Sequence, residues 1–232
     1  MSLPLNQIVS GDCLEVMKTF PTESIDCIVT DPPYGLGKKI IGDESLDTYH
    51  KVLPELFRIL KYNTFHISFA PIGDIQNFLT ITSEYFSFVW LGFIHYRNIQ
   101  RLLHSPLGRT KLSLFVVYQK GQAKRKYAIR DVIEFVYNGK NIQEFCHIAQ
   151  KPIDALLNIL KFVTEENDIV LDPFCGSGTT CIAAQKLCRN FIGIEIEPKY
   201  CEIARKRLVA IPERLDTLLE NQTSVYQVKV KT

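Results

Sequence analysis

The stretch Ser24–Gly35 reads SIDCIVTDPPYG. Its first part, Ser24–Asp31, is nearly continuous in apolar residues, the pattern of a strand buried on both faces of a parallel sheet. It stops abruptly at an acid, two prolines and an aromatic, Asp31-Pro32-Pro33-Tyr34. A simple turn needs less than that. Each proline fixes φ and removes an N–H, so the chain is rigid where it leaves the strand. The carboxyl end of a parallel strand is also where ligands bind in open α/β sheets.

On either side of this stretch, strand and helix signals alternate. Before it, NQIVSGD (Asn6–Asp12) reads as a short strand, and Asp12 is placed to cap a helix over CLEVMKTF. After it come a helical pattern over Ser45–Lys61, with Pro54 as a kink or late start, and a strand over Asn63–Ala70. A helix over Ile72–Thr82 and strands over Phe86–Phe93 and Lys111–Lys120 follow. The second half repeats the scheme: a helix over Lys151–Thr164, a strand over Asp168–Asp172 and a helix over Gly178–Cys188. A strand over Asn190–Glu197 and a helix over Lys199–Ile211 complete it. Such alternation predicts one α/β domain, doubly wound, with a mostly parallel sheet and helices on both faces. The end of the chain, VYQVKVK (Val225–Lys231), has the alternation of an edge strand.

The 232 residues suffice for one large domain, and 46% hydrophobic with 22% charged residues is an ordinary globular composition. No apolar run approaches the roughly 18 residues of a spanning helix, and the N-terminus lacks a signal-peptide pattern, so a cytoplasmic protein with no membrane partner is expected. The seven cysteines form an odd set without a CxxC pair, which argues against a disulfide framework or a zinc site. Cys13, Cys27, Cys181, Cys188 and Cys201 fall in predicted strands and helices, where buried thiols are expected. The five histidines are scattered, so no metal site is expected.

Net charge is only +2, but it is unevenly spread. From Tyr85 to Arg130 there is no acid, and His95–Arg130 holds nine of the 27 Lys and Arg. The remainder of the chain is therefore acidic on balance. A basic surface on an acidic body fits a polyanionic partner.

A second motif, LDPFCGSGTT (Leu171–Thr180), follows a predicted strand and opens a helix. Gly176 and Gly178 permit a tight turn and close approach of a ligand to the backbone. Glu195 ends the next strand, 17 residues after Gly178, near the spacing at which an acid grips ribose hydroxyls. The pattern is not GxGxxG, and no lysine follows as in a phosphate loop. A nucleoside-bearing ligand other than a dinucleotide or triphosphate is indicated.

Taken together, these motifs resemble those of the DNA amino-methyltransferases. That family carries D/N/S-P-P-Y/F/W, here Asp31-Pro32-Pro33-Tyr34, and F-x-G-x-G, here Phe174-Cys175-Gly176-Ser177-Gly178. A third match is HIAQKP (His147–Pro152), similar to the family's H-P-T-Q-K-P. The order, catalytic motif first and glycine motif last, resembles the permuted β group. The resemblance spans roughly Gly11 to Leu208.

It implies a seven-stranded sheet and S-adenosylmethionine as cofactor. It assigns Asp172, Phe174 and the turn Gly176-Ser177-Gly178 to the methionine moiety, with Lys151 on that moiety's carboxylate. Glu195 falls to the ribose, and Asp12 with Cys13 to the adenine edge. Asp31, Pro32 and Tyr34 are the implied catalytic residues. Ile148 and Ala149 depart from the family's Pro and Thr, so the threonine hydroxyl contact is lost. Double-stranded DNA, a second copy of the chain and a cognate restriction endonuclease are the implied partners.

The chemistry suits the quartet. An exocyclic amine is a poor nucleophile because its lone pair is delocalised into the ring. Two acceptors, the Asp31 carboxylate and the Pro32 carbonyl, would bind its hydrogens and favour the tetrahedral nitrogen of the transition state. Tyr34 would stack on a base that has left the duplex. Asp31 favours adenine-N6 over cytosine-N4, which more often goes with Ser at that position. The alternatives are a cytosine-N4 enzyme and a catalytically silent DNA-binding relative. Arg97, Arg101, Arg109 and Lys111 flank LLHSPLG (Leu102–Gly108) and are expected on DNA phosphates. They lie in an approximate target-recognition insertion, 94–145, within a single methyltransferase domain, 1–232. Asp43, Glu44 and Asp47 are expected to cap the helix that follows them.

Overall fold

The computed structural model describes residues 2–34, 46–97, 103–105, 108–110, 112–124, 131–136 and 150–210. The strands are β1 (Gln7–Ser10), β2 (Ile25–Thr30), β3 (Leu60–Ala70), β4 (Ser87–Arg97), β5 (Leu103–Ser105), β6 (Gly108–Thr110), β7 (Leu112–Lys120), β8 (Val132–Val136), β9 (Ile169–Asp172) and β10 (Asn190–Glu195). The helices are α1 (Cys13–Met17), α2 (Asp47–Ile59), α3 (Ile75–Ser83), α4 (Ile153–Val163), α5 (Thr179–Lys186) and α6 (Pro198–Val209).

Eight strands among the described residues form the main sheet in the order β1-β10-β9-β2-β3-β7-β4-β8, and β5 and β6 form a separate hairpin. Among the described residues, β7 alone runs antiparallel to its neighbours β3 and β4. The fold class is the expected mixed α/β one, but with eight strands rather than seven. The additional strand, β8, is five residues long and pairs parallel with β4 at the sheet's edge. Its alternating burial, with Ile133 and Phe135 inward and Val132, Glu134 and Val136 outward, is too short a signal to stand out in the sequence. β7 and β8 both lie within 94–145 yet belong to the main sheet. The hairpin β5–β6 is what the described residues show apart from it. The end of the chain, Val225–Lys231, lies outside the described residues.

The helices divide between the two faces of the sheet. Leu156, Ile159 and Leu160 of α4, Ile182 of α5 and Ala204 of α6 pack into one buried cluster. Met17 of α1, Leu53 and Leu56 of α2 and Phe78 of α3 pack into the other. Helix α2 passes through Pro54 without a late start, beginning at Asp47 with Leu46 as its N-cap. Asp47 is thus a first-turn acid rather than the cap, while Asp43 and Glu44 lie outside the described residues. Cys188, expected in a helix and buried, is exposed after α5 ends, in a left-handed conformation with φ 59°.

The strand order positions the site. From β2 the chain winds through α2 to β3 on one side of the sheet's centre; from β9 it winds through α5 to β10 on the other. β2 and β9 are themselves parallel neighbours, with Cys27 opposite Val170 and Ile28 opposite Leu171. Their carboxyl ends therefore bound the crevice of a topological switch point, where both connections lead away.

Candidate functional site

Both sequence motifs open into that crevice. β2 ends at Thr30, directly before the quartet, and β9 ends at Asp172, directly before the glycine turn. The buried Thr30 hydroxyl donates to Asp172 Oδ1 at 2.9 Å and ties the two strand ends together. The Phe174 amide donates to the same oxygen at 3.2 Å. Burial raises the Asp172 carboxyl to about 7, against hydrogen bonds from Thr180, Thr30 and Phe174 that lower it.

Asp31 is half-buried, and both of its oxygens have donors. The Tyr34 hydroxyl donates to Oδ1 and the Lys151 ammonium to Oδ2. Lys151 also lies 4.6 Å from the centre of the Phe69 ring, at the end of β3. Lys151 precedes α4, whose N-cap is Pro152. Two separate parts of the chain, the quartet and the segment before α4, thus meet at one carboxylate, with the end of β3 beside the ammonium.

In the glycine turn, Gly178 caps α5 with φ 80°, and a Cβ there would stand 2.9 Å from that of Ala204 in α6. A side chain at this position would be strained in backbone and contact alike. Gly176, at φ 52°, faces open space, with no atom within 4 Å of where a Cβ would stand. Its amide donates to Glu195 Oε2 at 2.8 Å, and the Glu197 amide donates to Oε1 at 2.8 Å. Burial raises the Glu195 carboxyl above its ordinary value, and these amides pull it back down. β1 pairs with β10 so that Ser10 lies opposite Glu195, and the Gly11 amide donates to the Glu195 carbonyl at 3.0 Å. That register brings Asp12 and Cys13 to the same edge. Asp12 caps α1, accepting from the Leu14 and Glu15 amides at 2.8 and 3.2 Å. The buried Cys13 thiol is pushed up to about 12, chiefly by desolvation, so it is an uncharged packing group.

The family model of DNA methylases matches residues 25–206, and so spans both motifs. The chain belongs to the DNA methylase family. The protein YubD of Escherichia coli (strain K12) is 29% identical over 213 residues, covering 89% of this chain and 92% of that one. The DNA adenine methyltransferase YhdJ of the same organism is 30% identical over 243 residues, covering 87% and 82%. Among solved structures, the M1.HpyAVI–SAM complex superposes with a TM-score of 0.68 at 26% identity, covering 87% of this chain and 98% of that one.

In this methylase the crevice gathers Asp31, Pro32, Tyr34, Lys151, Asp172 and Phe174, with Gly176, Ser177, Gly178 and Glu195 along the turn and Asp12 and Cys13 beyond it. Two candidates have partners that the sequence does not announce. Lys151 pairs with Asp31, and the buried Ser177 is bound to the scaffold: its carbonyl and hydroxyl accept from Arg207 at 2.5 and 3.0 Å, and its hydroxyl reaches Gln150 Oε1 at 3.4 Å. Thr30, Phe69 and Arg207 are the residues that motif reading missed, while Gln150 stood in the HIAQKP match without a role. Thr30 had one signal, its place as the last strand residue before the quartet.

The basic candidates separate. Arg97 ends β4 and, contrary to the expectation of cations without a nearby acid, meets Glu134 of β8 at 3.2 Å. The acid-free window is acid-free only along the sequence, since pairing of β4 with β8 sets His95 opposite Glu134. Arg109 lies in β6, while Arg101, Lys111 and His147 lie outside the described residues. Among the described residues, no group of His, Cys, Asp and Glu could hold a metal ion, and no helix is long and apolar enough to cross a membrane.

Proposed function

We propose that the protein is a site-specific DNA adenine-N6 methyltransferase acting on a base turned out of the duplex. The observation that carries this reading is the Asp31 carboxylate, held at the end of β2 one strand away from the glycine turn. YhdJ, a DNA adenine methyltransferase by name, supports adenine as the target. S-adenosylmethionine is the cofactor, as in the complex of M1.HpyAVI. When bound, it supplies an electrophilic methyl group on a sulfonium.

The chain's own residues suit that group. Glu195 Oε2 accepts the Gly176 amide and Oε1 the Glu197 amide, with lone-pair capacity left for the ribose hydroxyls. The open space before Gly176 leaves room for the nucleoside, and the Cys13 side chain offers an apolar edge for its base. Asp31 and the Pro32 carbonyl accept the two hydrogens of the target amine, which frees its lone pair toward the methyl group. Tyr34, anchored through its hydroxyl, presents its ring for stacking. The 1–232 chain acts as one domain, in the cytoplasm, on double-stranded DNA. The stretch between β4 and β7 serves as its recognition element.

Incubating the protein with unmethylated DNA and isotopically labelled S-adenosylmethionine, then digesting to nucleosides, tests the reading. Labelled N6-methyl-2′-deoxyadenosine is expected. Labelled N4-methyl-2′-deoxycytidine would replace adenine by cytosine, and cofactor binding with no transfer would indicate a silent DNA-binding relative.

Glu195→Ala removes a charged acceptor for two hydroxyls, an effect of roughly 1.5–3 kcal/mol. Calorimetry should show S-adenosylmethionine binding roughly ten- to hundredfold more weakly. An unchanged Kd would remove Glu195 from the ribose.

Replacing any two of Arg97, Arg101, Arg109 and Lys111 with Ala should weaken DNA binding and lower the slope of log K against log salt by about two. Arg97 should contribute least, because Glu134 already offsets its charge. Unaltered affinity and slope in a double variant would place DNA on another surface.

A further inference from the structure

The acceptor at the heart of the proposed reaction is already engaged. Tyr34 donates to one oxygen of Asp31 and Lys151 to the other, so an incoming amine meets a carboxylate whose charge is already shared with a hydroxyl and an ammonium. The two donors differ in how they can be displaced. Tyr34 is three residues from Asp31 on the same rigid quartet and moves with it. Lys151 comes from a different part of the chain, 120 residues away, on a long flexible stem. Its side chain is only 14% exposed, and the Phe69 ring lies beneath the ammonium. An ammonium so confined, with donors only, can leave one carboxylate readily only for another within reach.

S-adenosylmethionine brings such a carboxylate. Its methyl-bearing sulfur must stand beside Asp31, and a short aliphatic tether joins that sulfur to the carboxylate. The two carboxylates then compete for a single cation. Resting on the reading given above, we propose that Lys151 is a positioning residue that couples the two reactants: it holds Asp31 until the cofactor's carboxylate draws it off, which returns the full acceptor strength of Oδ2 to the target amine. The cofactor thereby prepares the acceptor for the base. The coupling is reciprocal, so whatever removes the charge of Asp31 should strengthen binding of the cofactor's carboxylate.

This reciprocity can be tested without knowing the recognition sequence. The probes are S-adenosylhomocysteine, which keeps the carboxylate, and 5′-methylthioadenosine, which lacks it. Their Kd values are measured by calorimetry on the full chain as wild type, Asp31→Asn, Lys151→Met and the double variant. Asp31→Asn should tighten S-adenosylhomocysteine about three- to fivefold, the scale of one charge-assisted hydrogen bond redirected between partners. The gain should vanish in the Lys151→Met background, and 5′-methylthioadenosine should show no gain in either. A structural role for the ion pair alone would not separate the two probes. Should Lys151→Met fail to fold, the comparison of the two probes on wild type and Asp31→Asn decides the matter alone.

Equal gains for both probes, or a gain that persists without Lys151, would overturn the coupling. So would S-adenosylhomocysteine binding to wild type with no gain on Asp31→Asn, a result that leaves the methyltransferase reading standing. Failure of every form to bind S-adenosylhomocysteine would overturn that reading, and the coupling with it.

Discussion

Asp31→Ala is expected to lower methyl transfer by at least about a thousandfold while leaving cofactor affinity within a few-fold. The size follows from what the carboxylate does. An amino group conjugated with a purine ring is nearly planar, and it attacks a methyl group only as its nitrogen becomes tetrahedral. A preorganised acceptor stabilises that change, and loss of one such group costs on the order of a hundred- to a thousandfold. Here the loss is larger, because Asp31 also anchors Tyr34 and Lys151. Alanine therefore misplaces a stacking ring and leaves a half-buried cation without its partner. The proposed cofactor contacts along β9, β10 and the glycine turn are left in place, and the released Lys151 shifts affinity only by the few-fold expected of its coupling to the cofactor's carboxylate. Single-turnover transfer of a labelled methyl group measures the first quantity and calorimetry the second. Parallel losses of turnover and cofactor binding would show that Asp31 had been assigned to the wrong reactant.

The crevice was legible in the sequence because its parts are local. A buried strand followed by Asp31-Pro32-Pro33-Tyr34, and a second followed by the Gly176–Gly178 turn, each announce a strand end, and a parallel sheet brings such ends to one edge. Glu195 and Asp12 were legible for the same reason. What escaped notice joins segments distant in the chain. The Thr30–Asp172 bond spans 142 residues, and the hold of Lys151 on Asp31 spans 120. No local pattern encodes either, since each depends on which strands become neighbours. The basic window misled in the same way. It is free of acid along the chain, but β8 returns beside β4 and sets Glu134 against Arg97 and His95. The strand that does so was itself unrecognised, being five residues long.

Lys120 illustrates the same limit more sharply, and it yields the largest expected effect on stability. By sequence it is one of the nine Lys and Arg of the window His95–Arg130, read as a basic surface for a polyanionic partner. In the structure it is 3% exposed and points into the protein. Its ammonium donates to the carbonyls of Phe57 and Leu60 at 2.8 and 2.7 Å, at the C-terminus of α2. It lies 4.6 and 4.4 Å from the ring centres of Phe57 and Tyr62, and Glu23 stands 3.6 Å away. A cation there satisfies carbonyls that the helix leaves without partners and opposes the negative end of its dipole. Lys120→Met keeps the aliphatic stem and removes the donors. Two carbonyls, one buried and one partly buried, then lose their partner, at about 1–3 kcal/mol each, offset in part because a charge no longer has to be desolvated. A net loss of about 2–4 kcal/mol is expected in urea unfolding, with Tm lower by roughly 6–12 °C. Below that transition, DNA affinity and its salt dependence should match wild type. Near-normal stability with a shallower salt slope would instead return Lys120 to the DNA-binding surface.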